Sequence, residues 1–356
     1  MSPSSHTAEP GAGRARTILL AAVFLIVAIA GLSYVKWWPY YGKALKAAAE
    51  HTLGSSILTG ETGKTPEPSL QAALDYASAY FKAVWKAAVL GILLGSLVQV
   101  LVPTRWLLRT LGQAGFKSTA VGALAAVPGM MCSCCAAPIA VGLRKKNVSV
   151  GAALAFWIGN PLLNPAALIF MAFVLNWKFT VMRIVFGLAL TLGVSYFANR
   201  FAGDQTVPEP AADSAFAADE DNRPLLLRWL ASMGRMLVAI VPAYLVAVLL
   251  LGAVRAWLFP SLDAGALSGV LMVVLFAVAG TLFVIPTAAE IPIIGTFLSL
   301  GFGTGVAGAL LVTLPAISLP SLLMVYRSFP RRVVWLLVGA VVAAGVLAGA
   351  AGAVFL

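Results

Sequence analysis

The stretch PGMMCSCCAAPIAVG, Pro128 to Gly142, lies inside an apolar run and decides how that run can fold. It holds all three cysteines of the chain and two of the nine methionines, between Pro128 and Pro138. Proline removes a helical hydrogen bond, and glycine weakens a helix. Inside a membrane, irregular backbone is tolerated only where it is buried in protein or lines a cavity. The stretch therefore predicts a helix that is broken at membrane depth.

The composition predicts an integral membrane protein. The 356 residues are 61% hydrophobic and 10% charged, and the mean hydropathy is +0.95. These values exclude a water-soluble globular domain and favour a multi-pass protein of the cell membrane. The net charge of +11 does not indicate nucleic-acid binding, because lysines and arginines lie at the ends of apolar runs, where they set topology. We expect membrane lipid and a small-molecule or metal(loid) substrate as partners, and a homo-oligomer is left open.

An internal repeat organises the rest of the chain. GAALAFWIGNPLLNP from Gly151 aligns without gaps with GVAGALLVTLPAISLP from Gly305, and the same shift carries Pro138 onto Pro292. We therefore expect a signal-anchor helix and external loop over 1–77, a first transmembrane repeat with the cysteines over 78–202, an acidic cytoplasmic linker over 203–224, and a second repeat over 225–356.

The positive charges predict that the two repeats face in opposite directions. Arg14 and Arg16 place the N-terminus inside, and Arg144 to Lys146 are basic as well, so the cysteine stretch leaves and re-enters on the same side. The matching loop around Gly303 is uncharged and is expected outside. The predicted fold is an all-α integral membrane protein with two inverted repeats and discontinuous, re-entrant helices: seven spans and two hairpins. Helix breaks are expected at Pro128, Pro138, Pro161, Pro165, Pro286, Pro292 and Pro315.

The three cysteines are the strongest candidate ligands. Thiolates of Cys132, Cys134 and Cys135, with the thioether of Met131, are soft donors that suit copper(I), zinc or trivalent arsenic. Cysteine also behaves as a small buried hydrophobe, but three cysteines in four positions at a predicted break favour ligation. Both histidines, His6 and His51, lie outside the apolar runs. The sequence therefore does not favour a mixed Cys/His zinc site inside the membrane.

Two further sets of polar residues lie in the predicted breaks. Asn160 and Asn164 either line a substrate cavity or only satisfy the carbonyl groups that Pro161 and Pro165 free. Glu290 is the only acid inside the predicted hairpins. Because a carboxylate at membrane depth is costly unless it faces water or a partner, Glu290 is a candidate for proton coupling. The alternative is a position at the mouth of the hairpin, paired with a cation.

The motifs PGMMCSCCAAPIAVGL, AFWIGNPLLNP and TAAEIPIIGTFLSLGFGTGVAGALLVTLPAISLPSLLMV resemble those of the predicted permease family that includes the ArsP organoarsenical efflux permeases. The resemblance extends over both halves from about Ser78. It implies extrusion of trivalent organoarsenicals such as methylarsenite, or of copper or zinc, with Cys132 and Cys134 in the family's cysteine motif. Cys135 and the methionines beside it look like additions to that motif.

The sequence therefore predicts a secondary efflux permease for a thiophilic metalloid or metal, without enzymatic activity or cofactor. No nucleotide-binding P-loop motif is present, so transport is expected to use an ion gradient. Ligation displaces protons from thiols and so couples binding to pH. Two alternatives stay open: a permease for a sulfur-containing metabolite, and a membrane thiol–disulfide redox protein that uses the CxxC spacing of Cys132 and Cys135.

Overall fold

The computed structural model describes residues 10–59, 66–202, 224–259 and 269–356, with only the backbone for residues 10–17. This part of the chain is helical, as predicted. Seven of its helical segments are long and apolar enough to cross a membrane: Ile18–Glu50, Leu70–Leu101, Val150–Val174, Trp177–Ala202, Leu225–Leu258, Thr304–Val325 and Arg331–Phe355. The number agrees with the predicted seven spans. Of the predicted linker 203–224, all but Pro224 lies outside the described residues.

The first half begins with a long helical segment and ends with a broken span followed by a final span. A π-helical turn, Ser33–Trp37, joins the first two helices, and a second one, Ala189–Val194, joins the last two. The helices are α1 Pro10–Leu32, α2 Trp38–Glu50, α3 Leu70–Leu101, α4 Thr104–Leu111, α5 Phe116–Ala126, α6 Ser133–Lys145, α7 Val150–Leu162, α8 Pro165–Val174, α9 Trp177–Leu188 and α10 Ser195–Ala202.

The second half follows the same order of long helix, short hairpin, broken span and final span. Its helices are α11 Leu225–Leu258, α12 Gly269–Leu282, α13 Glu290–Ser299, α14 Thr304–Ala316, α15 Leu319–Val325 and α16 Arg331–Phe355. Helix α11 packs along α3, and α14 packs along α12 and α16. The long helices of the two halves therefore lie side by side.

The four hairpin helices are too short to cross a bilayer alone. Helices α5 and α6 have 11 and 13 residues, and α12 and α13 have 14 and 10. At about 1.5 Å per residue they rise roughly 15–21 Å, whereas the hydrocarbon core is about 30 Å thick. These lengths agree with two hairpins that enter and leave on one side.

The loops after the two hairpins lie at opposite ends of α16. Arg144, in the last turn of α6, donates from Nε to the carbonyl of Ser328, just before α16 begins, at 3.3 Å. At the other end, the backbone of Thr304 packs against Gly352. The inverted arrangement requires this placement, although the repeat relationship itself stays a prediction.

One predicted break is wrong. Pro138 lies inside α6, which runs without interruption from Ser133 to Lys145. The reason is tight backbone packing against α3: a Cβ atom at Gly91 would overlap the carbonyl of Cys135, and one at Gly95 would overlap that of Pro138. This contact supports α6 on both sides of the proline, which removes only one helical hydrogen bond.

The other prolines lie at or next to interruptions. Pro128 lies in a 3-10 turn, Pro286 lies in a non-helical segment, and Pro165 begins α8. Pro161 and Pro315 lie in the last turns of α7 and α14, which end at the following residue. Pro292 lies in the first turn of α13, after its break. Both broken spans were therefore predicted at the correct places.

Candidate functional site

The first-half hairpin turns at Val127–Cys132, called the cysteine turn here. A 3-10 turn over Val127–Gly129 is followed by Met130, whose φ of 48° is left-handed. Cys132 is extended, and its carbonyl accepts the first hydrogen bonds of α6. A Cβ atom at Gly129 would overlap the side-chain oxygen of Asn160. Glycine at this position therefore allows α7 to approach the turn closely.

Neutral donors hold the cysteine turn in place. The indole of Trp37 donates to the carbonyl of Pro128 at 2.8 Å, and the indole of Trp157 donates to the carbonyl of Ser133 at 2.8 Å. The backbone N–H of Met131 donates to Oδ1 of Asn160 at 3.4 Å. No charged group takes part in these contacts.

Two of the three thiols form a pair. The Sγ atoms of Cys132 and Cys135 are 3.0 Å apart, which the i, i+3 spacing on the first turn of a helix allows. Cys134 points elsewhere, with its Sγ 3.2 Å from Oγ of Ser318 in the second half. All three cysteines are free and buried. In the described ranges no group of three His, Cys, Asp or Glu side chains is placed to hold a metal ion.

The other predicted binding residues have structural contacts. Asn160 also donates from Nδ2 to the carbonyl of Phe156 at 2.9 Å. Asn164 caps α8 by accepting from the N–H groups of Ala166 and Ala167, and its Nδ2 is buried without a partner. The side chain of Met131 is 1% exposed. These contacts support a structural role for Asn160, whose side chain binds backbone groups. The side-chain NH₂ group of Asn164 has no hydrogen-bond acceptor in the structure.

The second-half hairpin turns at Phe283–Ala289, called the acidic turn here, and Glu290 begins α13 after it. The phenol of Tyr76 donates to the carbonyl of Val284. The ammonium of Lys36 donates to Oγ1 of Thr287 at 3.1 Å. Ala288 has a left-handed φ of 67°. Charged and phenolic donors therefore hold this turn.

Glu290 forms an ion pair deep inside the protein. Its Oε1 is 3.3 Å from Nη2 of Arg183 on α9, and both residues are 1% exposed. Its Oε2 is buried without a hydrogen-bond partner. The alternative prediction placed Glu290 at the mouth of the hairpin, but the residue is buried inside the protein. The predicted pairing with a cation is correct.

Arg183 connects three helix interruptions. Besides Glu290, its guanidinium donates to the carbonyls of Leu162 at 3.1 Å and Pro161 at 2.9 Å, where α7 ends and carbonyls lack helical donors. It also donates to the carbonyl of Leu311. That carbonyl lies four residues before Pro315, which has no N–H to offer it. A guanidinium has five donors in a fixed fork, so one side chain serves all three interruptions.

A small cavity brings the two turns together. It is lined by Cys132 and Ser133 from one half and by Pro286 to Ala288, Glu290 and Leu314 from the other, and measures about 10 Å³. That space holds roughly one water molecule. We call it the sulfur cavity. The structure thus places a predicted thiol ligand and the predicted proton-coupling acid on one cavity.

Arg183 and Lys36 were missed by the sequence reasoning. Lys36 is 4% exposed and donates to the phenol of Tyr40 at 3.1 Å as well as to Thr287. It follows directly on the first apolar run and resembles an interfacial anchor. Arg183 lies in FTVMRIVFGL, a lone cation in an apolar helix, which was the available signal. A buried cation and a buried acid in one membrane protein are expected to find each other.

Comparisons with known proteins agree with this architecture. A family model described as a predicted permease, ArsP_1, matches residues 129–353, which is more than half of the chain. The chain belongs to this predicted permease family. It is therefore a membrane transporter, and its family points to transport rather than enzymatic catalysis. The matched region contains the acidic turn, the cysteine turn from Gly129 onward and the sulfur pair of Cys132 and Cys135.

Similar proteins occur in bacteria and an archaeon. The UPF0718 protein YraQ of Escherichia coli K12 is 50% identical over 94% of this chain and 95% of its own length. The UPF0718 protein MJ0584 of Methanocaldococcus jannaschii is 23% identical over 57% of this chain and 74% of its own. The UPF0718 protein YcgR of Bacillus subtilis is 30% identical over 29% and 36%, respectively. No solved structure matches this chain.

Proposed function

We propose that this permease exports a thiophilic metalloid or metal, most specifically a trivalent organoarsenical such as methylarsenite, in exchange for protons. The sulfur pair is the proposed substrate ligand and Glu290 the proposed proton carrier. The observation that carries the proposal is the sulfur pair itself: two free thiols 3.0 Å apart, one of them on a cavity that also contains Glu290.

The number of paired sulfurs favours an organoarsenical over inorganic arsenite. Methylarsenite carries one methyl and two hydroxyl groups on arsenic. Each hydroxyl group takes a thiol proton and leaves as water, so two arsenic–sulfur bonds form and arsenic keeps its oxidation state. Inorganic arsenite has a third hydroxyl group to exchange, whereas the third thiol, Cys134, is directed towards Ser318. Two sulfurs therefore match the substrate with one carbon substituent.

The acidic turn supplies the proposed coupling. Glu290 has one oxygen on Arg183 and one without a partner, so its free oxygen is available to a proton that enters the cavity. Protonation removes the charge that pairs with Arg183, whose other partners are carbonyls at the ends of α7 and α14. A change at Glu290 can thus alter how the two broken spans are joined, which a transporter with alternating access requires.

A second candidate is export of copper(I). Soft sulfur ligands select this ion, and Met131 lies beside the sulfur pair in sequence and is buried. Zinc fits less well, because structural zinc sites use four ligands and no cluster of three occurs among the described residues. The growth experiment below includes both metals.

A membrane thiol–disulfide redox protein is the alternative outside transport. Cys132 and Cys135 have CxxC spacing at the start of a helix, which is typical of reactive thiol pairs. Such a protein needs an electron partner, whereas ligation of methylarsenite consumes thiols without an oxidant. The permease family and the paired charges at Glu290 support transport.

The test is growth of an efflux-deficient host that expresses this protein, challenged with methylarsenite, arsenite, copper, zinc and cadmium. We expect resistance to methylarsenite that is lost in Cys132→Ser and in Cys135→Ser, because serine keeps the size but loses the soft donor. Membrane insertion of each variant is checked by its yield in the membrane fraction. Resistance at the wild-type level in Cys132→Ser would contradict ligation.

A further inference from the structure

A second, larger cavity lies against the other face of the acidic turn. It measures about 340 Å³ and is lined by Tyr40 and Lys43 of α2, by Thr52 to Ile57 after it, and by Phe170. Pro286, Thr287 and Ala288 line both this cavity and the sulfur cavity. We call the larger one the vestibule. A single turn of backbone therefore separates a wide space from the thiol of Cys132.

The turn that forms this wall is not helical and needs support. Residues 283–289 have no regular helix, and the hydrogen bond from the N–H of Ala289 to the carbonyl of Pro286, 3.1 Å long, closes a short loop. The φ of 67° at Ala288 is unfavourable for a residue with a Cβ atom. Such a conformation persists only where its surroundings hold it.

Lys36 supplies a side-chain contact that holds the wall in place. Its ammonium donates to Oγ1 of Thr287 at 3.1 Å, across a long separation in sequence. It comes from the π-helical turn Ser33–Trp37, an irregularity that is frequent at functional sites. Hydrogen bonds to charged groups are roughly twice as strong as neutral ones. The bond therefore fixes the middle of the wall to the helical segment Ile18–Glu50, which contains Lys36.

We propose that the segment Pro286–Ala289 is a gate between the vestibule and the sulfur cavity, and that the Lys36–Thr287 hydrogen bond is its latch. Opening the gate joins the two cavities and gives Cys132 a path to the side of the membrane where α2 ends. Arg14 and Arg16, near the start of α1, put that side outside the cell. The inference deepens the proposed function, because the same path would release the substrate.

The native cysteines report on the gate directly. The chain has three cysteines, all at the site, so a membrane-impermeant methanethiosulfonate reagent reacts nowhere else in the protein. Right-side-out vesicles expose the vestibule, and inverted vesicles expose the opposite face. The rate of modification of Cys132, identified by peptide mass, measures how often the gate opens.

Matched variants of the latch give the test. Thr287→Val keeps the shape of the side chain and removes the acceptor, whereas Thr287→Ser keeps the hydroxyl. We expect Thr287→Val and Lys36→Met to speed modification from the vestibule side about tenfold, the effect of losing one hydrogen bond to a charged group. Thr287→Ser should resemble the wild type. So should Tyr40→Phe, which removes the other partner of Lys36 but does not touch the gate.

Two results would overturn the proposal. One is modification of Thr287→Val at the wild-type rate from the vestibule side. The other is an equal increase from both faces, or an increase from the opposite face alone, which would indicate general loosening or another route. The rate measured for Thr287→Val is sufficient for this decision. The assay involves no transported substrate, so a failed growth test with a faster Thr287→Val reaction would reject the proposed substrate and keep the gate.

Discussion

The cysteine turn and the acidic turn occupy corresponding positions in the two halves, yet opposite chemistry holds them. Indole and amide groups contact the backbone of the first turn, whereas Lys36 and Arg183 contact the side chains of Thr287 and Glu290 at the second. The comparison shows that neutral donors hold the turn that contains Cys132, whereas cationic donors from the first half hold the turn that leads to Glu290.

The largest effect is expected at the buried ion pair beside the acidic turn. Arg183→Gln leaves Glu290 buried without its cation and orphans carbonyls of α7 and α14. Breaking a buried ion pair costs about 3–5 kcal/mol, so we expect a large fall in thermal stability in detergent and in membrane yield. Arg200 is exposed, and Arg200→Gln is the matched control, with a change within about 0.5 kcal/mol.

A double variant sharpens this result. Arg183→Met combined with Glu290→Gln removes both charges, so it should be more stable than Arg183→Gln alone, because no buried charge lacks a partner. A double variant that is as unstable as the sum of the single variants would show that Arg183 acts through the carbonyl groups and not through the ion pair.

Glu290→Gln tests the coupling role with a smaller structural change. Glutamine keeps the shape and can still accept from Arg183, but it cannot carry a proton. We expect methylarsenite binding to persist, while uptake into inverted vesicles no longer responds to an imposed pH gradient and falls at least about tenfold. Gradient-driven uptake at the wild-type rate would reduce Glu290 to a structural acid.

Close backbone packing is expected to matter for the cysteine half. Gly91→Ala puts a methyl group into the carbonyl of Cys135 and pushes α6 away from α3. Overpacking of this kind costs about 1–3 kcal/mol, measured as a lower melting temperature. Gly234 of α11 has no neighbour within 4 Å of a Cβ position. Gly234→Ala is therefore the control, and it is expected to be neutral or slightly stabilising.

The smallest effect is expected at Cys134. Its sulfur contacts the hydroxyl of Ser318 and takes no part in the sulfur pair. Cys134→Ser can keep a hydrogen bond to Ser318, so we expect a stability change below about 1 kcal/mol and resistance close to the wild type. Loss of resistance as complete as in Cys132→Ser would mean that three thiols act together, as the sequence alone suggested.

Much of the fold could be predicted from the sequence, because it depends on local features. Apolar runs gave the seven spans, and Pro161 and Pro315 marked the broken ones. The break predicted at Pro138 was wrong, because the packing of α6 on Gly91 and Gly95 is a tertiary contact that no local sequence pattern shows. For the same reason the partners of Glu290 and Thr287 were not predicted: each pair joins residues that are far apart in the chain.

The separation of the thiols also needed the structure. Spacing alone allows Cys132, Cys134 and Cys135 to converge in an unwound segment. In the structure α6 already begins at Ser133, and helical geometry then puts i and i+3 on one face and directs i+2 elsewhere. Where α6 begins therefore decides that two sulfurs, and not three, lie close together.

The central claim, that Cys132 and Cys135 ligate a metalloid together, is tested most directly by counting thiols on the purified protein. Methylarsenite is added under anaerobic conditions without an oxidant, and free thiols and the native mass are measured. The account predicts one adduct per chain, in which a CH₃As group replaces two hydrogens, with Cys134 as the one thiol still reactive. Three reactive thiols at saturating methylarsenite, or a loss of thiols without added arsenic mass, would contradict it.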